Sequence, residues 1–185
     1  IPINGVNDDG CVRPETSLES MAKLKPAFDK EGVVTAGTSS PLTDGAAAVI
    51  VCSKEYAEKN NLNIMAYIRG MAISGCDPEV MGIGPVKSSQ KALERAGISL
   101  EDVDVIEMNE AFAAQSLACV KELGIDMSKL NMHGGAISMG HPLGASGARI
   151  TGKAASLLKE TGKKYALSTM CVGGGQGCAT VLERA

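Results

Sequence analysis

Apolar and polar positions fall into blocks whose period switches between strand-like and helix-like along most of the chain. After a mixed opening of about 32 residues, with a short helical stretch through Leu18, Met21 and Leu24, comes the Gly/Ser/Thr-rich VVTAGTSSPLTDG. The apolar run GAAAVIVCS at 45–53 has strand length and leads into a polar helix, KEYAEKNN. NIMAYIRGMAISG at 63–75 predicts a long strand, and PVKSSQKALERAG a helix opened by Pro85 and stopped by Gly97. Ser99 and Asp102 make a capping pattern before the buried strand VDVIEM. NEAFAAQSLACVKELG then predicts a helix with Phe112, Leu117, Val120 and Leu123 turned inward and Gly124 as its stop. Beyond a glycine-rich stretch, Ile150, Ala154, Leu157 and Leu158 repeat at i, i+4, i+7 and i+8. The chain closes on YALSTMC and CATVLER, joined by so short a VGGGQG connection that the two strands must pair as an antiparallel hairpin.

Strand–helix alternation followed by a hairpin is an α/β pattern with a mixed sheet. With 185 residues the chain can bury one core and carry an extension; more than two domains would not fit. A composition of 44% hydrophobic and 21% charged residues is that of a soluble globular protein. A net charge of −3 offers no basic field for nucleic acid, and no apolar run reaches the length of a membrane span. Six cysteines without CxxC spacing and only two histidines argue against a metal site; free thiols in a reducing cytoplasm are the expectation. The first residue is Ile1, and the opening lacks the pattern of a leader peptide, so the chain is expected to derive from something longer.

Two glycine-rich segments imitate nucleotide-binding loops. The run GARITGK at 147–153 has Ala154 where a P-loop needs a hydroxyl and falls inside a helical pattern, whereas GGGQG at 173–177 sits between strands. More informative are Asn109, His141 and Cys171, each at an element end or in a glycine-rich loop, where α/β folds carry functional groups. Each also has a plain structural reading: Asn109 as a helix N-cap, His141 as a loop residue, Cys171 as a buried core thiol. Together they suit acyl transfer through a thioester, in which His activates a thiol and a glycine turn offers N–H groups to an oxyanion.

NEAFAAQ at 109–115, GGAISMGHPLGASGAR at 134–149 and CVGGGQGCA at 171–179 resemble, in order and spacing, the three carboxyl-terminal blocks of the thiolase family. Similarity extends through KPAFDKEGVVTAGTSSPLTDGAAA at 25–48 and GCDPEVMGIGPV at 75–86. The resemblance implies a thiolase-like layered fold: a mixed five-stranded sheet with helices on both faces. It divides the chain into residues 1–63, the end of the amino-terminal domain, and residues 64–185, the carboxyl-terminal domain. It implies that His141 activates the nucleophilic cysteine, Asn109 positions a water in the oxyanion hole, Cys171 is the acid/base, and Gly173 is a backbone donor. Ser40, Ala36, Phe28, Met81, Ala111 and Phe112 would contact the CoA thioester, which is substrate; no cofactor or metal is implied. His133, standing where many members have Asn, is read as a loop residue.

No Cys-Gly-Ser nucleophile block is found, so the chain alone is expected to be inactive and to work with an amino-terminal thiolase half, as a homo-oligomer in the cytoplasm. Residues 1–63, having lost packing partners, are expected to be partly disordered or to pack against a neighbour. The alternative is a thiolase-like protein that binds CoA or lipid without turnover; a purely structural half is a third reading.

Overall fold

A computed structural model describes residues 3–185. Its elements are α1 (Leu18–Ala22), α2 (Lys54–Lys59), β1 (Ala66–Gly75), α3 (Gly84–Ala96), β2 (Val105–Met108), α4 (Ala113–Leu123), α5 (Ala136–Met139), α6 (Leu143–Thr161), β3 (Tyr165–Val172) and β4 (Gln176–Arg184). Short 3-10 turns cover Ala36–Thr38, Pro78–Ile83 and Met127–Lys129. The long helices end where the sequence supplies a left-handed stop: Gly97, Gly124 and Gly162 have φ of 69°, 71° and 69°.

The sheet runs β1-β4-β3-β2. β4 pairs antiparallel with both β1 and β3, and β2 pairs parallel with β3, so the sheet is mixed as expected. Among the described residues it has four strands, one fewer than the resemblance implied. The missing candidate is the 45–53 run, which stays unpaired among the described residues. Its Val49, Ile50 and Val51 are 47%, 88% and 70% exposed, because no neighbouring strand is there to take their hydrogen bonds or cover their side chains. A methyl of Val49 approaches α6 at Gly152.

Alternation along the strands divides the core. Ile106, Met108, Leu167, Ala179 and Val181 pack with Ala92 and Leu93 of α3 and Cys119 of α4. On the opposite face Val105, Ala166 and Leu182 pack with Ala154, Ala155, Leu157 and Leu158 of α6, the periodic stripe seen in the sequence. Helices therefore cover both faces. In α4 Gln115, Ser116 and Cys119 are buried and the expected Val120 and Leu123 pack half-buried against the same core, whereas Leu117 is 57% exposed: the helix begins at Ala113 and not at Asn109, and its seated face includes polar residues that hydrophobicity alone does not select. At the sheet's end α3 docks so tightly that Gly177 and Gly84 meet backbone to backbone, where a Cβ on either would collide.

Candidate active site

β1, β2 and β3 point the same way, so their carboxyl ends and the β3–β4 turn share one edge of the sheet. α6 runs back from that edge. Gly147, in its second turn, packs against the Met170 sulfur near the end of β3, and one turn on Thr151 Oγ1 lies 3.1 Å from Ser168 Oγ. The strand ends and loops meeting there carry Asn109, His141, Cys171 and Gly173.

Asn109 extends the β2 ladder by one residue, its N–H donating to Thr169 O at 2.9 Å. It is no helix cap, since Phe112 holds the position before α4. Its side chain is fully buried, and among the described residues neither Oδ1 nor Nδ2 has a protein partner. Such an unsatisfied carboxamide is costly to bury and calls for water or ligand.

His141 connects α5 to α6. Its N–H donates to Thr43 Oγ1 at 3.2 Å, and its Nδ1 lies 2.6 Å from Ser146 Oγ. Ser146 Oγ donates to Pro142 O at 3.1 Å, so its lone pair receives the imidazole proton from Nδ1. Nε2 is left as the basic nitrogen. Burial holds the imidazole below its ordinary pKa, and the positive charge of Arg149 lowers it further. A neutral base results.

Cys171 lies at the end of β3 opposite Gly177, 4% exposed. Burial pushes its thiol up, against a backbone hydrogen bond that lowers it, and nearby Cys76 adds to the rise. Cys171 is thus a thiol that keeps its proton, suited to acid chemistry more than to attack. Gly173 begins the turn, and apart from its chain neighbours no described atom lies within 4 Å of the place a Cβ would take.

By strand alternation Asn109 faces α6, the side from which His141 arrives, whereas Cys171 faces α3 and α4. The three share the edge but flank it from two faces, and no hydrogen bond joins any two of their side chains among the described residues.

The substrate-contact candidates also gather at this edge. Ser40 donates to Ala111 O through both N (3.0 Å) and Oγ (3.2 Å), and Ser39 bridges to Phe112. Phe28 and Phe112 meet edge to face at 6.1 Å, and Ala36 lies in the adjoining 3-10 turn. Met81 sits in the 3-10 turn after β1; its carbonyl is 3.9 Å from Cys76 Sγ, and the Gly82 carbonyl accepts from Cys119 Sγ of α4 at 3.3 Å.

Sequence reading missed the residues that hold this edge together. Asn131 clamps β2 by accepting from Met108 N and donating to Met108 O, both at 2.9 Å, and donates to Glu110 Oε1 at 2.7 Å. Glu110 Oε2 in turn accepts from Ile137 N at 3.1 Å, and Gly135 packs on this carboxylate without room for a Cβ. Ser146 and Thr43 were overlooked too, as was Glu107, a carboxyl buried in β2. Only Glu107 left a plain signal, an acidic residue at an inward position of an apolar strand. His133 lies in the loop before α5, within reach of Lys153 (2.7 Å) and Glu160 (3.6 Å). The GARITGK run lies within α6, and GGGQG forms the hairpin turn. Among the described residues no His, Cys, Asp and Glu group is placed to hold a metal ion, and no helix is long and apolar enough to cross a membrane.

A family model described as thiolase, C-terminal domain, matches residues 62–184, and one described as thiolase, N-terminal domain, matches residues 3–55. The chain is 56% identical over 183 residues to a 3-ketoacyl-CoA thiolase of Vibrio vulnificus, covering 97% of this chain and 47% of that protein. Its fold is similar to that of human mitochondrial 3-ketoacyl-CoA thiolase in complex with CoA, with a TM-score of 0.94 and 49% identity over 97% of this chain and 46% of the human one. It is also similar to Bacillus anthracis acetyl-CoA acetyltransferase, with a TM-score of 0.93 and 45% identity over 96% of this chain and 45% of that one. The chain spans about half the length of the relatives it matches.

Proposed function

Because this chain belongs to the thiolase family, we propose that it supplies the carboxyl-terminal half of an acyl-transfer site working on CoA thioesters, with the nucleophilic cysteine contributed by an amino-terminal half. The observation that carries this reading is the pairing, at one sheet edge, of a neutral imidazole with Nε2 free and a thiol that holds its proton.

In thiolysis of a 3-ketoacyl-CoA, His141 Nε2 takes the proton of the nucleophilic thiol, and the thiolate attacks the 3-keto carbon. The C2–C3 bond breaks, its electron pair leaving as the acetyl-CoA enolate, to which Cys171 gives its proton. Incoming CoA thiol then returns a proton to Cys171, and the CoA thiolate takes the acyl group. The enzyme thiolate released recovers its proton from His141. Condensation of two acetyl-CoA molecules runs through the same groups in reverse. Asn109 Nδ2, without a protein partner among the described residues, holds a water against the thioester oxygen, and Gly173 N–H serves the second oxyanion. The CoA arm lies along Phe28, Ala36, Ser40, Met81, Ala111 and Phe112. CoA is substrate, and no cofactor takes part.

The full-length protein is expected to be a cytoplasmic homo-oligomer, and this chain alone to be inactive. Steady-state thiolysis by the full-length protein and by this chain tests the reading. Turnover only by the full-length protein, abolished by Cys171→Ala, supports it. CoA-thioester binding without turnover by the full-length protein would replace it with a non-catalytic binding role.

A further inference from the structure

Among the described residues, three side chains carry buried polar atoms without a protein partner on the α6 side of β2: Glu107 (Oε1), Asn109 (Oδ1 and Nδ2) and Arg149 (Nε). Glu107 is 2% exposed and Asn109 0%. They stand two residues apart on one strand, so both side chains leave the same face of the sheet. Their backbone positions are about 6.6 Å apart. One water at hydrogen-bond distance from both spans about 5.6 Å. Arg149 reaches the same region from α6, where its charge acts on both Glu107 and His141. Its guanidinium otherwise contacts the Met139 sulfur at 3.3 Å, and no ion pair joins it to Glu107 among the described residues.

Buried polar atoms that the protein leaves unsatisfied are where internal water is found, given two to four polar partners. A lone carboxamide can flip between two orientations that the protein does not distinguish; one fixed by a water cannot.

We propose that Glu107 is a positioning residue, holding, together with Arg149 Nε, an ordered internal water that fixes the Asn109 carboxamide with Nδ2 toward the sheet edge. The water accepts from Arg149 and donates to Asn109 Oδ1, which leaves only Nδ2 to face the substrate. Its second proton goes to Glu107 Oε1. Burial keeps the Glu107 carboxyl protonated up to about pH 7, so either ionisation state leaves an acceptor oxygen for that proton. This role deepens the acyl-transfer reading, in which Asn109 supplies an oxyanion-hole water.

A crystal structure of the full-length protein at about 1.5 Å, together with kinetics of Glu107→Gln and Glu107→Leu, tests it. Density for a water within hydrogen-bond distance of both Glu107 and Asn109 is expected in the wild type and in Glu107→Gln, which keeps an acceptor oxygen, and is expected to be lost in Glu107→Leu. Glu107→Leu should lower kcat on the order of tenfold or more, as misplacement of a catalytic group does, with KM for the CoA thioester within about twofold. Glu107→Gln should restore most of the rate. A dry contact in the wild type, or Glu107→Leu turning over at the wild-type rate, overturns the proposal. If Glu107→Leu does not fold, wild-type density and the Glu107→Gln rate decide the matter. If the wild-type protein performs no thiolysis, the acyl-transfer reading fails, and the water density alone still decides whether Glu107 holds Asn109.

Discussion

Ser146 Oγ lies 2.6 Å from Nδ1 of His141, five residues back along the chain, and its own proton points to the Pro142 carbonyl at 3.1 Å. A single hydroxyl in the first turn of α6 thus decides which imidazole nitrogen is basic. Ser146→Ala removes that decision and leaves a small void at a fully buried position. In the full-length protein kcat for thiolysis is expected to fall on the order of tenfold to a hundredfold, with KM little changed. An unchanged kcat would show that the tautomer is fixed some other way.

Arg149 lowers the imidazole pKa in addition to burial. Removing its charge with Arg149→Met should move the acid limb of the kcat/KM profile of the full-length protein toward higher pH. Burial remains, so the limb should stay below that of an exposed histidine. A shift toward lower pH would contradict the assigned sign.

Glu107 titrates against its surroundings in the direction opposite to a surface carboxylate. Burial pushes it up to about 7; Arg149 and Lys153 oppose the rise and Glu110 adds to it. Between about pH 4.5 and about pH 7 the folded chain keeps a proton that the unfolded chain has released, so this group's stabilisation is whole below that window and lost as pH rises through it. The wild-type chain should lose roughly 3 kcal/mol relative to Glu107→Gln across the window, measured by urea unfolding at a series of pH values. Parallel curves for the two proteins would remove the perturbed carboxyl from the account.

The thiols differ in reactivity by the same physics. Burial pushes Cys171 up and Cys119 up to about 11, whereas Cys52 is exposed. Iodoacetamide at neutral pH should label Cys52 first, with Cys171 and Cys119 resisting until the chain unfolds, as read by peptide mass spectrometry. Equal labelling of Cys171 and Cys52 would mean that Cys171 is no proton-holding thiol.

Asn131 holds the loops at the sheet edge through three hydrogen bonds and sits at φ 43°, a conformation Asn tolerates better than Ala. Asn131→Ala should destabilise the chain by about 3 kcal/mol, most of it from the bonds lost. Asn131→Gly, which keeps the backbone at ease, should recover about 1 kcal/mol of that in thermal or urea unfolding. Equal losses in the two variants would assign the effect to the bonds alone.

Elements with local signals were legible in the sequence. The glycine stops at 97 and 124, the hairpin of β3 and β4, and the apolar stripe of α6 each follow from residues close together in the chain. The 45–53 run was misread because an apolar segment of strand length looks the same whether or not a neighbour pairs with it, and pairing is a long-range matter. Leu117 failed for a related reason: which face of a helix is inward depends on where the helix docks. His141 and Cys171 stood out by type and by their glycine-rich setting. The supports of the site did not, since Thr43 reaches His141 across 98 residues and Asn131 reaches Met108 across 23, distances no local pattern records.

On the proposed function a CoA thioester is held at the edge where β2 and β3 end, between His141 and Cys171. A crystal structure of the full-length protein with a bound acetyl-CoA or 3-ketoacyl-CoA tests it most directly. The expected result is a thioester oxygen within hydrogen-bond reach of His141 Nε2, with Cys171 Sγ beside the substrate α-carbon. A thioester bound elsewhere, with the loops carrying Asn109, His141 and Cys171 in place and empty, would contradict it.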